Sequence, residues 1–359
     1  MIKRLEIENY GCIRHAELKP TPMHAFVGPS DVGKSTVLKA IDALSRFINA
    51  DAQRERDARA PMIPRKARDT LTLTVEFAGS LGFNVGFAPR SQTLESYVRE
   101  SMQGEWLGYR HITPDFSWAS EEPAAIGHFV TEIRQRLHVG FVALERAGLI
   151  ADSPVRRAGA PVMFGADGRG LAWVYEQLLH REGDAFDQIT QRMRKRFPWM
   201  GGVEVSSVSS SAKTLVMRTL DGQRIPAEHV GEGFLRMLAW EALRYADRPR
   251  VLLVESPEAG LSPGLVVEAM AILRELTVDK ERPTQVLIAT RSPLVLAELG
   301  APEVTLVTRD PSEGTRVAAL AEHPDYALRM QSLPRGSRGL DLCDGVMAAA
   351  TGNTVRTRV

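Results

Sequence analysis

"GPSDVGKST", residues 28–36, sets two glycines with four residues between them and follows the second with lysine and serine. Gly28, Pro29, Ser30, Asp31, Val32, Gly33, Lys34, Ser35 and Thr36 thus match the phosphate-cradling pattern GxxxxGK[ST]. Glycines let a backbone curl until its N–H groups face phosphate oxygens, and a helix start adds a favourable field. Lys34 would reach the β- and γ-phosphates of a nucleoside triphosphate, and the Ser35 hydroxyl would bind its magnesium. The flanks suit the motif: "MHAFVG" reads as a strand and "KSTVLKAIDAL" has helical periodicity.

"VLLVESPEAGLSP", residues 251–263, runs four apolar residues into an acid. Glu255 at that strand end would hold the same magnesium, in such sites through a water. A second acid that activates water ordinarily follows; here the residue is Ser256. Serine is un-ionised near neutral pH and cannot act as a general base without its own activator. Glu258 is either the nearest substitute base or a residue of the turn. Ahead of this strand, "HVGEGFLRMLAWEAL" sets Gly231 and Gly233 around Glu232 at a helix start. That is an anion-binding geometry or the plain cap of a core helix. "QVLIATRSPLVL" ends a further strand in Arg291, which faces a γ-phosphate or is a surface arginine.

The elements that must position these residues alternate. Residues 2–27 read as short strands, and a helix follows over 34–48. Residues 51–69 form a polar, arginine-rich loop. "TLTLTVEFAG" and "FNVGFAP" make a β-meander; 120–137 is helical, and "HVGFVAL" is a buried strand. Residues 170–197 form a long amphipathic helical region, and "GVEVSSV", "TLVMRTL" and "QRIPAEHV" a second meander. From 231 onward helix and strand alternate: a helix over 233–246, strand 251–255, helix 264–277, then strands 285–290 and 303–308. The expected fold is α/β, with a mostly parallel sheet flanked by helices and an antiparallel β-meander subdomain. The expected division is 1–119 for the phosphate loop and meander and 120–200 for a helical insertion. Residues 201–320 complete the head, and 321–359 form a tail.

With 25% charged and 44% hydrophobic residues and a formal charge of +1, the 359-residue chain is no general polyanion binder. Cys12 and Cys343 lie too far apart for a metal or disulfide pattern, which fits a reducing cytoplasm. No run approaches the roughly eighteen apolar residues of a membrane span, so no membrane association is expected. Arg54, Arg56, Arg59, Arg65 and Arg68, with Arg192, Arg194, Lys195 and Arg196, form two basic clusters. They read as a DNA footprint or as solvated faces.

In order, "ENYGCIRHAEL", "GPSDVGKST", "VGEGFLRML", "LLVESPEAGLSP" and "ATRSPLVL" resemble the ABC-type ATPases of the OLD and RecF-like group, cousins of SMC heads. The resemblance runs from Met1 to about Leu320. It implies an ATP- and Mg2+-binding head that dimerises around two nucleotides. Gly231, Glu232 and Gly233 of each subunit would then contact the other subunit's ATP, with Glu258 near the dimer seam. Three residues depart from the family pattern: Ser256 replaces the usual acid, Arg291 replaces histidine, and the glycine-acid-glycine signature lacks the serine common in transporters. The stretch after Pro293 is too short for the nuclease domain that OLD proteins append, and the heptads of SMC arms are missing. Positioning and charge neutralisation, which carry most of phosphoryl transfer, are retained. Arg291 could add charge stabilisation in the manner of an arginine finger. The expectation is an ATP-held switch with slow or partner-assisted hydrolysis, controlling an effector such as a nuclease or toxin in phage defence. A RecF-like DNA-binding repair ATPase and a non-hydrolysing scaffold are the alternatives.

Overall fold

The chain opens with a hairpin, β1 (Ile2–Tyr10) and β2 (Ile13–Leu18), and then a five-residue strand, β3 (Met23–Val27), that leaves the hairpin for another sheet. The computed structural model describes residues 1–49, 66, 69–79, 81–88, 90, 93–100, 124–157, 159–181 and 183–322. The hairpin is joined by β4 (Leu71–Phe77), β5 (Leu81–Ala88) and β6 (Thr93–Glu100) in an antiparallel sheet of order β2-β1-β4-β5-β6. β1 and β5 alternate between buried and more open residues, as strands with one covered face do.

All five residues of β3 are buried, the mark of a strand covered on both faces. It is central to a six-stranded sheet with β7 (Val139–Val142), β12 (Val251–Glu255), β13 (Gln285–Thr290), β14 (Val304–Asp310) and β15 (Gly314–Ala319). The order is β15-β14-β3-β13-β12-β7; all pairs are parallel except β14–β15. β7 lies within the segment expected to be a helical insertion and forms an edge of this sheet. A third, antiparallel sheet holds β9 (Met200–Ser209) against β10 (Ala212–Thr219). β8 (Ser153–Pro154) and β11 (Arg224–Pro226) also pair with β10.

Side chains of the six-stranded sheet alternate between two cores. Phe26, Leu253, Leu287 and Val307 pack with the helix Lys34–Ile48 and the five-stranded sheet. Ala25, Val27, Val254, Ile288 and Leu306 pack with the helices Leu171–Arg181, Glu232–Ala242 and Pro263–Val278. Gln285 ties the sheets together: its Oε1 accepts from Ile2 N at 2.7 Å, and its Nε2 donates to Ile2 O at 2.9 Å. The region read as one long helix over 170–197 contains two, Leu171–Arg181 and Gly183–Arg196. The helix expected over 233–246 spans Glu232–Ala242. Among the described residues no helix is long and apolar enough to cross a membrane.

Candidate functional site

Register brings the candidate residues to one edge. Val27, the last residue of β3, pairs with Thr290 of β13 and Leu306 of β14, and Glu255 of β12 pairs with Ala289. The carboxyl ends of these parallel strands therefore stop together, where open α/β sheets collect their ligands.

The loop after β3 depends on its glycines. A Cβ on Gly28 would lie 2.0 Å from the Val307 carbonyl oxygen, so only glycine lets β14 pass. Gly33 has φ 110° and begins the helix Lys34–Ile48 without a side-chain cap. The first-turn N–H groups of a helix lack intrahelical partners and are the donors a phosphate needs. Lys34 Nζ donates to Pro29 O across the loop. Burial, and then the nearby Arg291 charge, hold the Lys34 ammonium below its ordinary pKa; Glu255, Asp31 and Glu258 act against this. Ser35 Oγ donates to Glu255 Oε1, so two hard oxygen donors from distant segments meet, the set a magnesium ion takes. Arg291, though exposed, reaches the loop: its Nη1 donates to Ser30 Oγ at 3.4 Å.

Braces of this loop carried no signal in the sequence. Thr315 of β15, 2% exposed, donates from Oγ1 to Val32 O at 2.8 Å. Its Oγ1 also lies 3.3 Å from Cys12 Sγ, which in turn sits 3.3 Å from Thr36 Oγ1. Arg309 Nη1 donates to Asp31 O at 3.0 Å. Thr315 and Arg309 lie 283 and 278 residues from their loop partners, beyond the reach of any local pattern.

Beyond Glu255 the chain turns sharply. Ser256 has φ 48° and its N–H donates to Ala289 O at 2.9 Å, which holds the turn to β13. Glu258 lies in the following turn, drawn toward the Thr290 hydroxyl and the Arg291 backbone amide. Its Oε2 is buried without a hydrogen-bond partner. Burial raises its carboxyl above the ordinary range, opposed by those donors and the Arg291 charge.

Residues 28–36, Glu255, Glu258 and Arg291 are thus neighbours. Glu232 and Gly233 lie against Gly260, beyond the turn that carries Glu258. Gly231 is exposed and is the N-cap of the helix Glu232–Ala242, without a side-chain cap. Glu232 pairs with Arg236 at 2.7 Å. A Cβ on Gly233 would sit 3.4 Å from both Gly260 O and Leu265 Cδ1.

Two residues of the second basic cluster, Arg192 and Arg196, are half-buried and engaged by a buried carboxylate, while Arg194 and Lys195 are exposed. Arg192 Nε and Arg196 Nη1 pair with the fully buried Glu241 at 2.8 and 2.6 Å. Arg196 also pairs with Glu268, and Arg194 donates to Gly201 O. Burying a carboxylate demands such partners, so Arg192 and Arg196 are structural where a DNA footprint was an option. Arg54, Arg56, Arg59, Arg65, Arg68 and Cys343 lie outside the described residues.

The chain is similar to known proteins in sequence and in fold. Residues 1–88 match the family "AAA ATPase domain", and residues 129–297 match "AAA domain, putative AbiEii toxin, Type IV TA system". An OLD nuclease of Thermus scotoductus (strain ATCC 700910 / SA-01) is 45% identical over 42 residues, 12% of this chain and only 8% of that nuclease. An SMC head bound to the C-terminal winged-helix domain of ScpA superposes with TM-score 0.55 at 12% identity, covering 88% of this chain and 96% of its own. An SMC head with an extended coiled coil, bound to the C-terminal domain of ScpA derived from Pyrococcus furiosus, gives TM-score 0.51 at 11% identity, covering 92% and 99%. The phosphate loop and its acid are thus joined at one sheet edge, AAA-type ATPase families are matched on both sides of residues 89–128, and the fold is that of SMC ATPase heads.

Proposed function

We propose that this head binds Mg2+-ATP on residues 28–36 and closes into a homodimer around two nucleotides. Hydrolysis is slow or needs a partner, so the ATP-bound dimer is a switch on a separate effector, a nuclease or toxin, in phage defence. The observation that carries the reading is the contact of Ser35 with Glu255, a magnesium-binding pair, next to Ser256 where an acid would activate water. Magnesium, when bound, neutralises charge on the phosphates; Lys34 adds a second cation and Arg291 a third. The exposed Gly231 supports contact with a nucleotide held by a second copy. The effector role draws on the match to a toxin–antitoxin ATPase family and the short alignment with an OLD nuclease. The RecF-like alternative loses support, since Arg192 and Arg196 are engaged inside the fold.

The test is mass photometry of the wild type and Lys34→Ala with Mg2+ and a non-hydrolysable ATP analogue. The wild type should double in mass. Lys34→Ala should bind at least about tenfold more weakly, on the order of 1.4 kcal/mol, and stay single at the same concentration. Equal affinity in the folded variant would sink the loop assignment; an unchanged wild-type mass over a range of concentrations would sink the dimer.

A further inference from the structure

The site holds one acidic oxygen that its fold leaves unexplained. Glu258 Oε2 is buried and has no hydrogen-bond partner, whereas buried carboxylate oxygens are normally paired. Such an atom signals strain, a bound water or a catalytic role. Three observations bear on which. The Glu258 carboxyl is drawn to Thr290 and the Arg291 amide, at the strand end that pairs with Val27 just before the phosphate loop. Arg291 in turn touches Ser30 of that loop. Lys34, the lysine that would neutralise the terminal phosphates, lies within electrostatic reach of Glu258, Glu255, Asp31 and Arg291 together. Glu255 is already taken by Ser35. Ser256 has no ionisable side chain, and its φ of 48° belongs to the turn that carries the chain on to Glu258.

We infer that Glu258, and not the residue after Glu255, accepts the proton of the water that attacks the terminal phosphate. In that step a water O–H bond breaks and its proton passes to Glu258 Oε2. The water oxygen bonds to the γ-phosphorus, and the P–O bond to the β-phosphate breaks with its electron pair leaving on ADP. Glu258 then returns the proton to solvent. Burial supports the role, because a carboxyl raised above its ordinary range is a stronger base once ionised. The Thr290 and Arg291 donors hold the carboxylate in place. The inference rests on the ATP-site reading above and deepens it.

The experiment uses the full chain, with Glu258→Gln and Ser256→Ala beside the wild type, each checked by thermal melting. Mg2+-ATP affinity and single-turnover phosphate release are measured separately. Glu258→Gln should bind ATP within about twofold of the wild type yet release phosphate at least about tenfold more slowly. Ser256→Ala should match the wild type in both. The acidic limb of the wild-type pH–rate profile should vanish in Glu258→Gln. An infrared difference spectrum between nucleotide-free wild type and Glu258→Gln should carry a protonated-carboxyl band that titrates above the ordinary glutamate range, a readout independent of turnover. Wild-type turnover in Glu258→Gln, or its loss in Ser256→Ala, overturns the inference while leaving ATP binding standing. Failure of the wild type to bind Mg2+-ATP overturns the site reading and this inference together.

Discussion

Ser256 sits at φ 48°, in the left-handed region where a side chain larger than glycine's costs about 1 kcal/mol. Its identity was legible in the sequence as a missing acid; its backbone was not, because the hydrogen bond to Ala289 O that holds it comes from a strand 33 positions on. A correctly placed general base contributes about 10² to 10⁴ in rate. Ser256→Glu should raise phosphate release by less than that range, since the left-handed backbone misdirects the new carboxylate and Arg291 can pair with it. Ser256→Glu, Arg291→His should release phosphate faster than the single variant. Steady-state phosphate assays in which neither variant exceeds the wild type would remove water activation as the limiting step. A second residue-scale effect lies in the sheet. His24 of β3 is 2% exposed, with Nε2 2.9 Å from Thr305 Oγ1, and burial pushes its imidazole down to about 4. The unfolded chain takes up this proton from about pH 6.5 downward and the folded chain only near 4. The stability of the neutral, buried form is therefore present above pH 6.5 and lost between 6.5 and 4, by about 3 kcal/mol. Urea titrations across that window should show the loss, and His24→Gln should flatten it. An equal slope in the variant would assign the effect to other groups.

The helix Glu232–Ala242 is the element on which the two halves of the reading meet. Its N-terminus offers Gly231–Gly233, and its body carries Glu241, which binds Arg192 and Arg196 of the helix Gly183–Arg196 and, at 3.0 Å, Arg244. Arg196 and Arg244 extend to Glu268 and Glu275 of the helix Pro263–Val278. One buried carboxylate thus locks three helices behind the signature. The glycine-acid-glycine start was legible because its spacing is local. The lock was not: its arginines looked like a free basic face, and the carboxylates that engage them lie at least 45 positions away. These ion pairs fix the body of the helix, so under the proposed dimer its start would be presented to the second copy. Gly233→Arg should leave ATP affinity of the single head within about twofold and abolish the ATP-dependent mass doubling, because an arginine would stand where a second phosphate must approach. Sedimentation with the non-hydrolysable analogue decides it: an undiminished dimer in Gly233→Arg would remove the signature from the interface.

At the scale of the whole molecule, the phosphate loop and its acid are legible as motifs, and their alternation with helices predicts the parallel sheet. Strand order is not legible, because pairing joins segments that no local pattern links. β1 and β2 precede β3 in the chain yet belong to the five-stranded sheet, and β3 is flanked by β13 and β14. The two meanders are separate antiparallel sheets, each packed into one of the two cores that flank the six-stranded sheet. That strand order also sets a timetable for synthesis. The phosphate loop leaves the ribosome among the earliest residues, while β13, β14 and the bracing Thr315 follow more than 250 positions later. At about 5–20 residues per second the delay is on the order of 10 to 50 seconds. Through that interval β3 lacks β13 and β14, its neighbours in the sheet, and the helix Lys34–Ile48 can pack only against the five-stranded sheet. The nascent chain therefore cannot close a braced nucleotide site until nearly all of the head has been made.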